Sequence, residues 1–203
     1  MNYLAHLYLS HPAPLCRLGN LMGDWVKGAV TGLALPAEVL EGLRQHRAVD
    51  RLAVSHPAVR ASKARLDARF GHLKPILIDI FYDHLLARNW AAWGTGTLAG
   101  FAARAYQLLK THEALLPAAF RPVARRMIER DWLVAYRHAQ TIRLVLSQMS
   151  GRLSRLNALA QGYGELVRCG RQMEGECRSF LEEAREMVAC RWASFEEKGR
   201  GAE

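Results

Sequence analysis

PILIDIFYDHLLARNW, residues 75–90, is the segment that most constrains the fold of this chain. Its apolar side chains surround a predicted helix that begins at Pro75 and runs to about residue 93. A helix that is apolar on every side is buried in a protein core. The same helix carries Asp79, Asp83 and His84. The segment therefore predicts a helical core with ionisable groups inside it.

Helical periodicity extends over most of the remaining chain, and strand patterns are poor. Further helices are predicted at residues 36–54, 57–69, 98–115, 117–149 and 164–196. The apolar run at residues 3–9 fits either a helix or a strand. We expect an all-α, single-domain compact bundle of about seven to nine helices over residues 1–198, followed by a disordered tail at 199–203.

Composition excludes several classes of protein. Half of the 203 residues are apolar and 23% are charged, which is typical of a soluble globular domain and not of a disordered chain. The longest internal stretch without Asp, Glu, Lys or Arg covers only 15 residues, 89–103, too few for a membrane span of about 20. The start shows no signal-peptide pattern, and the four cysteines form no CxxC pair. These features predict a cytoplasmic protein with reduced thiols and no membrane partner.

Basic charge is concentrated in one part of the chain. The formal net charge is +9, and residues 121–155 contain eight arginines against Glu129 and Asp131, a local net of +6. A basic face attracts nucleic acid, an anionic lipid surface or an acidic protein. A solubilising surface without a partner is an equally simple interpretation, and composition alone does not choose among them.

Acidic and imidazole groups recur on faces that should be buried. On the helix at residues 36–54, His46 and Asp50 continue an apolar stripe and lie one turn apart. Asp24 and His6 stand among apolar residues in two earlier segments. A hydrogen-bonded His–Asp pair would satisfy such groups, and a shared divalent cation would as well.

Asp79 and Asp83 present the same alternatives on the core helix. Two carboxylates one turn apart repel each other, and burial adds a cost of several kcal/mol for each unpaired charge. Arg88 can neutralise part of this charge as a member of an ion-pair network, and a multivalent cation can neutralise all of it. Mixed imidazole and carboxylate ligands suit Mn²⁺, Fe or Zn²⁺, and the excess of oxygen favours Mn²⁺ or Mg²⁺.

A metal site of this kind predicts phosphoester hydrolysis. A divalent metal lowers the pKa of bound water and polarises a phosphoryl oxygen, and arginines hold the phosphate. Substrates compatible with this chemistry include a nucleotide or another small phosphoester. Two non-catalytic alternatives are a basic helical module that binds nucleic acid and a helical protein with a buried ion-pair network.

Six segments together resemble the acyl carrier protein phosphodiesterases, a bacterial family related to the His-Asp metal phosphohydrolases. The resemblance covers about residues 1–155 and rests on NYLAHLYLSH (2–11), GNLMGDWVKG (19–28), HRAVDRLAVSHP (46–57), DIFYDH (79–84), ERDWLVAY (129–136) and RLVLSQMSGRL (143–153). It implies an all-helical fold and hydrolysis with Mn²⁺, or with Mg²⁺ or Fe²⁺ in its place. The implied reaction cleaves the phosphodiester that joins 4′-phosphopantetheine to a serine of holo-acyl carrier protein.

The resemblance also implies roles for individual residues. Asp24 is the first candidate for metal binding or catalysis, and His46 is a candidate for both roles as well. The further candidate ligands are Asp50, Asp83 and His84, followed by His6 and Asp79. Arg152 is a candidate for contact with the phosphate, and the arginines of residues 121–155 are candidates for docking the acidic carrier protein. The relatives place a His before an Asp, whereas the adjacent pair here is Asp83-His84, so the site is expected in permuted order.

Overall fold

The computed structural model of the protein describes residues 2–153 and 157–200. Within these residues the chain forms eleven α-helices and four short 3-10 turns, and it forms no β-strand. The α-helices are α1 (Tyr3–Leu9), α2 (Pro14–Leu21), α3 (Ala37–Ser55), α4 (Pro57–Arg65), α5 (Lys74–Arg88), α6 (Trp90–Trp93), α7 (Leu98–Thr111), α8 (Arg121–Glu129), α9 (Trp132–Ala135), α10 (Ala139–Arg152) and α11 (Gly162–Arg200). The predicted all-α class is confirmed.

The number of helices exceeds the predicted seven to nine because two predicted helices are interrupted and α2 was not predicted. The core helix ends at Arg88 and restarts after Asn89 as α6. The predicted helix at residues 117–149 is divided into α8, α9 and α10. Asp131 has a left-handed backbone (φ 47°), and its carboxylate accepts a hydrogen bond from the Tyr106 hydroxyl at 2.9 Å. The same hydroxyl accepts a hydrogen bond from the backbone N–H of Leu133, which fixes the turn.

Helix α5 forms the centre of the molecule, as its sequence predicts. Its residues from Leu77 to Ala87 are buried except Asp79, and α1, α4, α10 and α11 all pack against it. Burial of a large apolar side chain contributes about 1.5–3 kcal/mol. The ambiguous apolar run at the start of the chain is therefore a helix, α1, which packs with its leucines against this core.

Two glycines bring α2 and α3 unusually close together. A side-chain carbon on Gly19 would lie 2.1 Å from the carbonyl oxygen of Val39, and one on Gly42 would lie 2.0 Å from that of Cys16. No larger residue fits either position without movement of the backbone. This contact places the end of α2 and the turn that follows it beside the middle of α3.

The long helix α11 packs against α3, α4 and α5 and closes one side of the core. It extends through Arg200, so the first two residues of the predicted tail belong to it, and residues 201–203 lie outside the described residues. No helix in the described part of the chain is both long and apolar enough to cross a membrane. The four cysteines are unpaired, and three of them are buried.

Candidate active site

His6, His46 and Asp50 meet at the contact between α1 and α3. Their potential ligand atoms lie within 4.8 Å of one another. The two imidazole rings stack with their centroids 3.8 Å apart, and both rings are almost completely buried. Asp24 completes the group, because its Oδ1 lies 3.4 Å from Nε2 of His46. We call these four residues the His–Asp cluster.

The orientation of His46 is fixed by the backbone. Its Nδ1 lies 2.8 Å from the carbonyl oxygen of Asn20, and since a carbonyl only accepts, Nδ1 carries the hydrogen. Nε2 therefore points towards Oδ2 of Asp50 at 3.2 Å and Oδ1 of Asp24 at 3.4 Å. A lone pair on Nε2 would repel the two carboxylates, so this geometry requires a proton or a cation between the nitrogen and the oxygens. A hydrogen bond from the second ring nitrogen to a backbone carbonyl is the arrangement usual in metal-binding histidines.

The pKa values of the cluster show a single positive charge held between carboxylates. Burial lowers the pKa of His46, but hydrogen bonds and charges from Asp24 and Asp50 outweigh burial and raise it to about 9. Burial and the adjacent His46 lower the pKa of His6 to about 4. The hydrogen bond with His46 lowers the pKa of Asp24. Burial raises the pKa of Asp50, but the adjacent imidazoles of His46 and His6 outweigh burial and hold it well below its usual range.

A divalent cation fits this set of donors. Both ring nitrogens of His6 are buried, and neither makes a hydrogen bond of regular geometry to the described residues, although Nε2 lies 3.3 Å from Oδ1 of Asp50. An unsatisfied buried nitrogen costs about 1–3 kcal/mol. Two imidazoles and two carboxylates match the ligands preferred by Mn²⁺, Fe²⁺ or Zn²⁺. His6, His46 and Asp50 can hold such an ion, with Asp24 as a fourth ligand.

Gly23 allows the cluster to form. A side-chain carbon at this position would lie 2.2 Å from Cγ of His46. The glycine thus lets the 3-10 turn Gly23–Trp25 approach the imidazole and present Asp24 to Nε2. The glycine beside the aspartate in GNLMGDWVKG is therefore required by the close approach of the imidazole, which the sequence alone does not reveal.

A cavity of about 630 Å³ opens beside the cluster. Asp24 and Asp79 lie in its wall, and burial raises the pKa of Asp79. The remaining wall is largely apolar and aromatic and includes Tyr3, Trp25 and Tyr136. We call this space the first cavity. Its volume is typical of a small-molecule site.

Five of the eight arginines of the basic stretch fall into two groups. Arg121 donates to backbone carbonyls and Arg125 pairs with Glu113, so both are used within the fold. Three others line the first cavity, and none forms an ion pair with a described residue: Arg126, Arg130 and Arg152. The break between α8 and α10 makes this possible, because it folds α10 back so that both helices face the cavity. Arg155, at the end of the predicted stretch, lies outside the described residues.

Asp83 and His84 are not brought into the His–Asp cluster. The buried carboxylate of Asp83 accepts hydrogen bonds from the backbone N–H groups of Leu4 and Ala5, at 2.9 and 2.8 Å. Asp83 thereby caps the first turn of α1, whose N–H groups have no partner within the helix. Nδ1 of His84 lies 2.7 Å from the carbonyl oxygen of Tyr136. Both side chains join neighbouring elements to α5.

Several site features were missed by sequence reasoning. The Asn20 carbonyl that orients His46 is a backbone group and gives no side-chain signal. The aromatic wall of Tyr3, Trp25 and Tyr136 comes from three distant segments. All three lie within the segments that carry the family resemblance, which is the one signal that pointed to them.

Comparisons with known proteins identify the family. The family model described as acyl carrier protein phosphodiesterase matches residues 1–184. Proteins named acyl carrier protein phosphodiesterase are similar to this chain in Serratia proteamaculans, with 36% identity over 89% of this chain and 93% of the relative, and in Photorhabdus laumondii, with 34% identity over 82% and 84%. The protein of that name in Yersinia pestis is 34% identical over 80% of this chain and 84% of its own length.

No solved structure matches this chain, so the predicted likeness to the His-Asp phosphohydrolase fold stays a prediction. The family model and the relatives agree with each other, and both cover most of the chain. The chain belongs to the acyl carrier protein phosphodiesterase family.

Proposed function

We propose that this protein hydrolyses the phosphodiester of holo-acyl carrier protein and releases 4′-phosphopantetheine and apo-acyl carrier protein. The observation that carries the proposal is the junction of the His–Asp cluster with the first cavity. Arginines that form no ion pair with a described residue line an apolar space there. The names of the relatives supply the substrate. A cytoplasmic location belongs to the same proposal, supported by the unpaired cysteines.

The metal is part of the proposal. Mn²⁺ is our first candidate, with Mg²⁺ or Fe²⁺ as alternatives, held by His6, His46 and Asp50 together with Asp24. When bound, such an ion lowers the pKa of a water molecule and offsets charge on the phosphate.

The first cavity provides room for the phosphopantetheine arm. The arm is a flexible chain with an apolar dimethyl group and amides, which suits a wall of Trp25, Tyr136 and Val145. Arg130 and Arg152 can hold the phosphate oxygens through their forked guanidinium groups. Binding of the arm along the cavity places its phosphate at the end where Asp24 lies.

Asp24 is the residue that we assign to proton transfer. Its side chain is 59% exposed, so water reaches it, and its lowered pKa keeps it ionised at neutral pH. The water oxygen forms a bond to phosphorus and the bond from phosphorus to the serine oxygen breaks. The hydroxyl stays on 4′-phosphopantetheine, and the proton passes by way of Asp24 to the serine oxygen.

The carrier protein itself docks at the mouth of the first cavity. Arg126 and Arg130 are exposed there, and neither forms an ion pair with a described residue. Acyl carrier proteins are small and acidic, so complementary charge raises the association rate and makes it depend on salt.

Mass spectrometry of the carrier tests the proposal directly. Holo-acyl carrier protein is incubated with the protein and Mn²⁺, with and without a chelator. We expect the carrier to lose its phosphopantetheine only when the metal is present. Full retention of the group under all metal conditions would contradict the proposed function, and equal turnover of a small phosphodiester would indicate a small-molecule phosphohydrolase instead.

Adjacent arginines on α8 provide a matched control for docking. Arg126→Gln removes a charge at the first cavity, whereas Arg125→Gln removes one from its neighbour, which pairs with Glu113 outside the cavity. We expect the first variant to lower kcat/KM by about tenfold at low salt, with a smaller difference at high salt, and the second to leave it within about twofold. Equal effects would contradict docking at this surface.

A further inference from the structure

A second cavity of about 520 Å³ lies at the opposite end of α1 from the first. Its lining includes Arg17 of α2, Arg104 of α7 and Arg185 of α11, with Tyr8 of α1 among them. It shares no lining residue with the first cavity. The second cavity is therefore a separate space, although both touch the same short helix.

The charges of the second cavity are all of one sign. No aspartate or glutamate lines it, and in the described part of the chain none of its three arginines forms an ion pair. Arg17 is half-buried, and its Nε is fully buried without a hydrogen-bond partner among the residues that the structure describes. Burial and the nearby charge of Arg104 both lower the pKa of Arg17, because like charges repel. A buried guanidinium nitrogen without a partner among the described residues adds a further cost.

Contacts with aromatic rings hold two of these arginines in place. The guanidinium carbon of Arg17 lies 5.5 Å from the ring centroid of Phe101. That of Arg185 lies 5.5 Å from the ring of Tyr8, and its Nη1 donates to the Tyr8 hydroxyl at 3.2 Å. This hydroxyl donates in turn to the carbonyl oxygen of Trp93 at 2.8 Å. Arginines ordered in this way are ready to receive a ligand at little cost in side-chain entropy.

We propose that the second cavity binds a small organic phosphate, with Arg17, Arg104 and Arg185 around the phosphoryl group. Forked guanidinium groups match phosphate oxygens, and an anion relieves the repulsion among the arginines. Trp90 and Phe101 form an aromatic wall, which suits an apolar or aromatic body attached to the phosphate. This site is independent of the hydrolytic function proposed above.

Calorimetric titration of the metal-free protein tests this site. The probes are inorganic pyrophosphate and adenosine monophosphate, which separate the need for phosphate from the need for an aromatic body. All titrations use the Arg130→Gln/Arg152→Gln variant as background, so that the first cavity no longer competes for the anion. We expect saturable binding of both probes, with adenosine monophosphate bound more tightly.

Two further substitutions separate the outcomes. Adding Arg104→Gln, at an exposed position where folding is not at risk, should weaken binding of either probe at least tenfold, and adding Arg17→Gln should remove it. Arg143→Gln, an exposed change outside both cavities, should leave binding unchanged. Absence of saturable binding, or binding that Arg104→Gln does not weaken, would overturn the proposal.

Turnover of the carrier protein distinguishes a protein-docking surface from a small-molecule site. In the otherwise unchanged protein, we expect Arg104→Gln to leave kcat/KM for holo-acyl carrier protein within twofold. A tenfold fall would show that the carrier docks here and would overturn the proposal. Because the titrations need no turnover, failure of the proposed function would leave their result intact.

Discussion

The His–Asp cluster and the Asp83-His84 pair contain the same types of residue, yet the fold uses them differently. In the cluster, His6 and His46 face carboxylates through nitrogens that the backbone does not satisfy. In the pair, backbone N–H and carbonyl groups of α1 and of Tyr136 satisfy both side chains. Burial of an ionisable residue is therefore no guide to chemistry until its hydrogen-bond partners are known.

The pKa values separate the two regions in the same way. Burial raises the pKa of Asp83 to about 7, even though two backbone N–H groups oppose this effect. The pKa of Asp50 is instead held far below its usual range by the adjacent imidazoles. An aspartate that stays ionised beside histidines is suited to bind a cation, whereas one that burial protonates near neutrality is suited to join two helices.

The largest expected effect is on turnover. We expect Asp50→Asn and His46→Gln each to lower kcat by more than about 100-fold and to abolish Mn²⁺ binding, because loss of a ligand exceeds the 10- to 100-fold effect of a residue that only supports one. His84→Gln should change kcat by less than tenfold. Turnover of holo-acyl carrier protein measures kcat, and titration with Mn²⁺ measures metal binding. Equal losses in all three variants would erase the distinction between the two regions.

The free energy of unfolding should depend more on Asp83 than on the His–Asp cluster, the reverse of the order expected for turnover. Asp83→Asn leaves one buried N–H of α1 facing an amide NH₂ in place of an oxygen, so we expect the free energy of unfolding to fall by about 2 kcal/mol. Asp24→Asn, on a half-exposed turn, should change it by less than about 0.5 kcal/mol while lowering turnover strongly. Urea unfolding of the metal-free variants gives these values. A larger loss for Asp24→Asn would make Asp24 a structural residue.

Helices with strong periodicity were predicted well, and their interruptions were not. The prediction at residues 36–54 differs from α3 by one residue at each end. The break at Asp131 escaped prediction because Tyr106, 25 residues away, stabilises its left-handed backbone. Tertiary contacts of this kind leave no local signal in the sequence.

The candidate site could be predicted only in part. The stripe on α3 placed His46 and Asp50 on one face, and the structure brings them together with His6 and Asp24. The segment that carries Asp83 also had every feature of a ligand segment. Its carboxylate does not face the imidazoles, because it accepts hydrogen bonds from backbone N–H groups of α1. Residue type and periodicity predict burial, whereas the three-dimensional neighbours decide whether a buried carboxylate faces imidazoles or caps a helix.

The smallest expected effect is on the pH dependence of stability in the metal-free protein. The pKa of His46 is about 9 in the fold and 6.5 unfolded, so this residue stabilises the fold fully below pH 6.5, and its contribution is lost as the pH rises through 9. Because Asp24 and Asp50 are partly exposed, solvent screening reduces the effect to about 1 kcal/mol. Asp83 has a pKa raised from 3.8 to about 7, so its protonated form favours the fold. Stability therefore falls as the pH rises from about 4 to 7 and stays lower above pH 7.

Unfolding measured across the pH range separates these two windows. His46→Gln should remove the decline between pH 6.5 and 9 and keep the one at lower pH, while Asp83→Asn should do the opposite. If His46→Gln left the upper decline intact, His46 would not carry the charge held between Asp24 and Asp50. The His–Asp cluster and the Asp83-His84 pair would then differ in their hydrogen-bond geometry but not in the charge that each holds inside the fold.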